Sequence, residues 1–121
     1  MPFSQRDTMH MFQPTQAGGV QTVIVHNREA KQIALVRSHL RREAVAFAHG
    51  DFSDPAKIHA TTMPGLAEME AGFKRVAVIY SDVPGGGRIT YTTGDPKMVS
   101  AIHRWFASQV DQHGAHAMMG M

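Results

Sequence analysis

The sequence contains no cysteine among its 121 residues. Disulfide bonds, thiolate metal sites and a cysteine nucleophile are therefore excluded. Long hydrophobic runs are missing as well: nothing approaches the ~20 apolar residues of a membrane span, and the first nineteen residues contain no signal-peptide core. We therefore expect a cytoplasmic protein without a membrane partner.

The chain also lacks a strong excess of charge of either sign. Twelve Lys and Arg stand against ten Asp and Glu, which gives a formal net charge of +2. Nucleic acid is not an expected partner, because binding it requires a concentrated basic surface. With 43% hydrophobic residues, the composition instead predicts one globular domain at residues 20–114. A flexible arm at 1–19 and a flexible tail at 115–121 are expected to flank it.

Hydrophobic periodicity predicts the first two elements. Residues 20–26 alternate as a strand does, with Val23 and Val25 on one face. A helix should follow from the N-cap Asn27 to about His49. Its arginines 37, 41 and 42 are expected to point to solvent, whereas its buried stripe comprises Ile33, Val36, Leu40, Ala44 and Phe47.

The remaining pattern predicts a connector, a hairpin and a final helix. Residues 51–73 contain the signals of short helices, and residues 75–81 and 88–93 alternate as strands. Glycines 85–87 indicate the turn between these strands and not a phosphate loop, because a strand and not a helix follows them. The last helix should run from Pro96 to about Gln112, with Trp105 beside an inward row formed by Val99, Ile102, Phe106 and Val110.

These elements predict an α+β fold with the order β-α-(short helices)-β-β-α. A right-handed crossover makes the first two strands parallel, and the hairpin makes the third antiparallel to the second. We predict a three-stranded sheet of order 1-3-2 with two long helices on one face. The alternative, with strand one beside strand two, stays open.

Four residues form the principal candidate metal site. His39 and Glu43 are four residues apart on the first predicted helix, so they share one face. His59 and Met63 have the same spacing in the connector. Together they predict a copper or zinc site, provided that the connector folds over the helix. The alternative is a structural His with a carboxylate neighbour.

A second group of soft ligands occurs near the two ends of the chain. Thioether and imidazole groups suit copper(I), and imidazole also binds copper(II) and zinc. The alternative is that two flexible segments merely contain Met and His. The secondary metal candidates are His10, Met11, His113, His116 and Met118.

Three functions remain open from the residues alone. The favoured one is a non-enzymatic binding module with a His/Met metal site. The second is a protein-interaction domain that uses a sheet edge or face, with a protein partner or a second copy of the chain. The third is a small enzyme with His39 or His103 as acid or base. No Gly-x-Ser-x-Gly elbow or other positioned nucleophile is present to identify a reaction.

Several segments carry a family resemblance over about Val20 to Gly114. They are QIALVRSHLRREAVAFAHGDFSDPAKIH, MPGL at 63–66, ITYTT at 89–93, HRWF at 103–106 and DQHG at 111–114. Together they resemble a family of short, largely uncharacterised bacterial proteins, some of which carry the name aspartate carbamoyltransferase. A transcarbamoylase resembling the known enzymes would need over twice this length and a Ser-Thr-Arg-Thr motif, which is absent. The resemblance therefore implies a common fold, and no catalytic residues are carried over.

Overall fold

The structure is built on one sheet that is antiparallel except at one edge. The computed structural model describes residues 8–27, 29–51, 64–113 and 117–119, with side chains up to residue 110. The strands are β1 (Thr8–Thr15), β2 (Gly18–Val25), β3 (Val76–Val83), β4 (Gly86–Thr93) and the short β5 (Ala117–Met119). Their order in the sheet is β3-β4-β2-β1-β5. Only the β1–β5 pair is parallel.

The predicted three-stranded sheet of order 1-3-2 is wrong. The predicted flexible arm contributes β1, and the predicted flexible tail contributes β5. The first predicted strand, observed as β2, is consequently an interior strand paired with both β1 and β4. Sequence alternation concealed β1 because two of its inward residues, Thr8 and His10, are polar although they are buried. Burial on a pleated strand follows position and not polarity alone.

Two long helices cover one face of this sheet. Helix α1 (Ala30–Ala48) buries the predicted side chains of Val36, Leu40, Ala44 and Phe47, while Ile33 is half-buried. The last helix, α3 (Pro96–His113), buries more of its surface than predicted. Trp105, expected only to flank the stripe, is 1% exposed, and Val99 is only half-buried. The broader stripe arises because α3 packs on the sheet and on a further helix.

That further helix lies in the predicted connector. Helix α2 (Leu66–Gly72) begins after Gly65, whose φ of +85° is a left-handed conformation that glycine adopts without strain. A 3-10 turn at Phe73–Arg75 then leads into β3. The short helix predicted at Asp54-Pro55 falls outside the described residues. Leu66 and Met69 point inward as expected, and both are buried.

The predicted hairpin joins β3 and β4 through Pro84 and Gly85. Only Gly85 in the glycine run needs the left-handed region, at φ 81°. Gly86 serves a different purpose: a Cβ atom there would overlap the backbone carbonyl of Val23 on β2. Absence of a side chain at this position therefore allows β2 and β4 to approach each other.

Replacing Gly86 with alanine should lower the free energy of unfolding by about 1–3 kcal/mol, because the added methyl forces two backbones apart. Gly94→Ala is the matched control, since its Cβ would meet no atom within 4 Å. Its effect should not exceed about 1 kcal/mol. Urea denaturation followed by circular dichroism measures both values. Equal losses in the two variants would contradict the close-approach explanation.

Candidate functional site

The first two predicted metal ligands meet on helix α1. The Nε2 atom of His39 contacts Oε1 of Glu43, and the two side chains are only 13% and 15% exposed. This i,i+4 contact follows from helical geometry, as the sequence predicted. Each group is thereby oriented by the other in a partly dehydrated position. The pair could supply an imidazole and a carboxylate to a ligand only if the contact between them opened.

The other two predicted ligands, His59 and Met63, lie outside the described residues. Within the described part of the chain, no group of three or more His, Asp or Glu side chains is arranged to hold a metal ion. The structure therefore brings together two members of the predicted four. The complete copper or zinc site stays a prediction.

Glu43 lies near a buried polar pair. The Tyr91 hydroxyl donates a hydrogen bond of 3.0 Å to Oε1 of Gln21, which is 7% exposed on β2. Burial raises the pKa of Tyr91 well above its usual value, and the negative charge of Glu43 raises it further. Tyr91 therefore stays protonated and donates its hydrogen bond throughout the neutral range. This arrangement fixes polar groups inside an aromatic core.

The secondary metal candidates are divided by the geometry of β1. His10 points towards the helices and is 2% exposed, with its ring stacked near Phe12. Met11 is the next residue of the strand and therefore belongs to the opposite face. The β1–β5 register aligns Met11 with Met118, so the structure does bring these two backbone positions together. His10 and Met11 therefore belong to opposite faces of β1.

Two further members of that secondary group have side chains outside the described residues. His113 ends helix α3, but its side chain lies outside the described residues, and His116 lies wholly outside them. Within this group, the strand register of the described residues aligns Met11 with Met118. A site built on all five residues remains a prediction.

His103, the second acid or base candidate, has a structural contact. Its Nε2 atom lies 2.8 Å from the backbone oxygen of Thr15, at the end of β1. The half-buried ring thus joins helix α3 to the turn between β1 and β2. An acid or base role through Nε2 would require this nitrogen to leave its carbonyl partner.

Arg37 was predicted to point to solvent, and this is wrong. Its guanidinium donates from Nε to the Gly86 carbonyl at 2.9 Å and from Nη2 to the Val83 carbonyl at 3.0 Å. These bonds join helix α1 to the β3–β4 turn. No sequence signal pointed to this contact, because the acceptors are backbone atoms nearly fifty residues away.

A charged cluster lies beside these two Arg37 hydrogen bonds, on the helix-covered side of β3. The Asp82 carboxylate lies 3.7 Å from Arg37 and 3.4 Å from Arg41, and it accepts a hydrogen bond from the Tyr80 hydroxyl. The Arg41 guanidinium also lies 5.0 Å from the centre of the Tyr80 ring. The Tyr80 hydrogen bond, reinforced by Arg37 and Arg41, lowers the pKa of Asp82. Asp82, the one charged side chain of strand β3, therefore has two cationic partners and a hydrogen-bond donor.

Strand β3 forms one edge of the sheet. Strand β3 pairs with β4 over its whole length, from Val76↔Thr93 to Val83↔Gly86, and no other described strand lies on its outer side. Its Ile79 is 59% exposed. At the opposite edge of the sheet, β5 covers part of β1. The sheet therefore offers one long, regular edge.

The chain matches no protein-family model, no curated protein and no solved structure. Its resemblance to short bacterial proteins therefore stays a prediction. None of the helices in the described part of the chain is long and apolar enough to traverse a bilayer.

Replacing Asp82 with asparagine should lower the pKa of Tyr80, which is raised from 10.0 to about 12. Burial is the largest cause and remains in the variant, but the hydrogen bond to a carboxylate and its negative charge are removed. The pKa should therefore fall from about 12 towards the ordinary tyrosine value. Tyrosinate absorbance measures the titration, and Tyr80→Phe identifies its step. An unchanged pKa in Asp82→Asn would contradict the assignment.

The raised pKa of Tyr80 also predicts that alkaline pH lowers the free energy of unfolding. Because Tyr80 ionises later in the folded than in the unfolded chain, its stabilising contribution is complete below pH 10.0. That contribution is lost as the pH rises towards about 12. Tyr80→Phe should therefore reduce the steepness of alkaline destabilisation in this interval, as urea denaturation at several pH values would show.

Proposed function

We propose that the chain is a protein-interaction domain that pairs through the edge of β3 with a second copy of itself. The observation that carries this proposal is the eight-residue ladder of β3, which is regular to its end and unpaired on its outer side among the described residues. An exposed edge of this kind presents backbone donors and acceptors that a further strand can satisfy.

Strand β3 lacks the features that usually protect an edge. Its sequence, VAVIYSDV, contains no lysine and no proline, and its register with β4 shows no bulge. The one charged residue, Asp82, is held on the helix side by Arg37 and Arg41. Neither charge nor irregularity therefore opposes the approach of another strand.

Ile79 supplies an apolar contact at the middle of this edge. It is one of two large hydrophobic residues that are exposed, at 59%, in the described part of the chain. Its position opposite Thr90 belongs to the sheet face without helices, because neighbouring Tyr80 contacts Arg41 of α1. A strand added to β3 would cover part of Ile79 and remove apolar surface from water.

A second copy fits this edge because the antiparallel arrangement is self-complementary. A two-fold axis at Ile79 sets this residue against its copy, Ala77 against Ser81 and Val78 against Tyr80. Asp82 then faces Val76, so no like charges are opposed. An isologous contact of this kind closes after two chains and forms a ten-stranded sheet.

The absence of native cysteine permits a direct test of this register. Ile79→Cys should form a disulfide-linked dimer under mild oxidation, because directly opposed residues of antiparallel strands have Cα atoms about 4.5–5.5 Å apart, within disulfide range. Val45→Cys is the matched control, since Val45 is equally exposed at 59% but lies on helix α1. Non-reducing electrophoresis measures the yield. Equal cross-linking of both variants would count against the β3 contact.

Replacing Ile79 with lysine should convert the dimer to a monomer, because the two-fold axis brings the new charges together. Thr90→Lys provides the control for contact through the open sheet face, since Thr90 faces the same side from β4. It should leave an edge dimer intact. Analytical ultracentrifugation gives the mass of each variant. A monomeric wild-type chain at high micromolar concentration would overturn the proposal.

A further inference from the structure

We propose that the groove between helices α2 and α3 binds a small organic anion with a short apolar chain. The cavity has a volume of about 520 Å³, which lies within the range of small-molecule sites. It is separate from the outer edge of β3 and from the His39–Glu43 pair. The proposal is therefore independent of dimerisation and of the predicted metal site.

Close packing of the two helices creates the floor of this groove. Ala71 of α2 and Pro96 and Met98 of α3 supply apolar lining. A Cβ atom at Gly72 would come within 2.5 Å of the Met98 sulfur and 2.9 Å of Arg75 Nη2. Glycine at this position therefore allows the Met98 thioether and the Arg75 guanidinium to lie against the end of α2. The result is an apolar floor next to the Arg75 guanidinium.

The rim of the groove is positively charged. Arg75, Lys97 and Arg104 line it together with Glu68, and Asp95 pairs with Arg75, so three cations stand against two carboxylates. A carboxylate or phosphate group at the rim would therefore enter a positive potential. An apolar chain attached to this group could lie along the exposed side chains of Ala71 and Pro96, above the buried Met98. A neutral or cationic ligand of the same shape would lack the first of these interactions.

The ion pairs already present at the rim are loose enough for a ligand to compete with them. Arg104 Nη1 lies 3.5 Å from Glu68 Oε1, with the two side chains 49% and 48% exposed. Arg75 Nε lies 3.4 Å from Asp95 Oδ2. The Arg75 side chain is 61% exposed, although that of Asp95 is 23% exposed. A pair as exposed as Arg104–Glu68 contributes little to stability. The Lys97 ammonium has no carboxylate within 4.0 Å among the described residues, so it is the cation most available to an incoming anion.

The first arm of the test varies the ligand. Acetate, butyrate, hexanoate and octanoate are titrated into the full chain, and backbone amide shifts of α2 and α3 are followed by NMR. Affinity should rise by roughly two- to fourfold for each methylene that the groove covers. Hexanol and inorganic phosphate test the apolar chain and the charge separately, and each should bind at least tenfold more weakly than hexanoate.

The second arm varies the protein. Lys97→Gln should weaken hexanoate binding by about fivefold or more, because it removes the available cation while leaving the backbone bond of residue 97 to Asp95 in place. Arg42→Gln makes the same charge change on helix α1, away from the groove, and should leave the affinity unchanged. Ala71→Phe fills the groove without altering its charge and should abolish binding.

The outcomes separate the proposal from general electrostatic attraction. If hexanol bound as tightly as hexanoate, the negative charge would not contribute to binding. If phosphate did so, the apolar chain would not contribute. Either result would overturn the proposed ligand class. Equal losses in Lys97→Gln and Arg42→Gln would show that net charge alone acts. Hexanoate shifts confined to residues outside α2 and α3 would overturn the site itself. Persistence of hexanoate binding in Ile79→Lys would support its independence from dimerisation.

Discussion

The contact on which the whole arrangement depends is the one that Trp105 makes with both layers. Its ring lies 5.6 Å from the Phe47 ring on α1 and 5.7 Å from the Tyr91 ring on β4, both edge to face. Phe106 continues the cluster to Phe12 on β1, at 5.4 Å between ring centres. Rings in this geometry attract one another beyond the area they bury. The cluster thus determines where both helices lie on the sheet, and with them the surfaces that carry the two proposals.

The sequence was informative where burial and hydrophobicity coincide. Helix α1 could be predicted, with Val36, Leu40 and Phe47 on its buried stripe, because these apolar residues recur at helical spacing. Strand β1 could not, because Thr8 and His10 are buried despite their polarity. The spacing predicts Trp105 only beside its helical stripe, whereas its contacts with Phe47 on α1 and Tyr91 on β4 bury it completely.

Among the candidate sites, contacts within one helix could be predicted from the sequence, whereas contacts between distant segments could not. Contact between His39 and Glu43 could be predicted because both residues belong to one turn of one helix. The two bonds from Arg37 to the hairpin could not, since their acceptors are backbone carbonyls that no residue pattern marks. The groove between α2 and α3 was likewise invisible, because Arg75, Lys97 and Arg104 come together only when the two helices pack. Local geometry is encoded in spacing, whereas sites made by tertiary packing are not.

The parallel pairing of β1 with β5 has a consequence for the folding reaction. The strands join Met11 with Met118, so nearly the entire chain forms the loop between them. Closing such a loop costs conformational entropy before its few hydrogen bonds are gained, and contacts of this separation slow folding. We therefore expect β5 to dock last, onto a sheet whose other four strands have already formed. Its three residue pairs would then be the first to exchange with solvent deuterium, well before the central β2–β4 ladder.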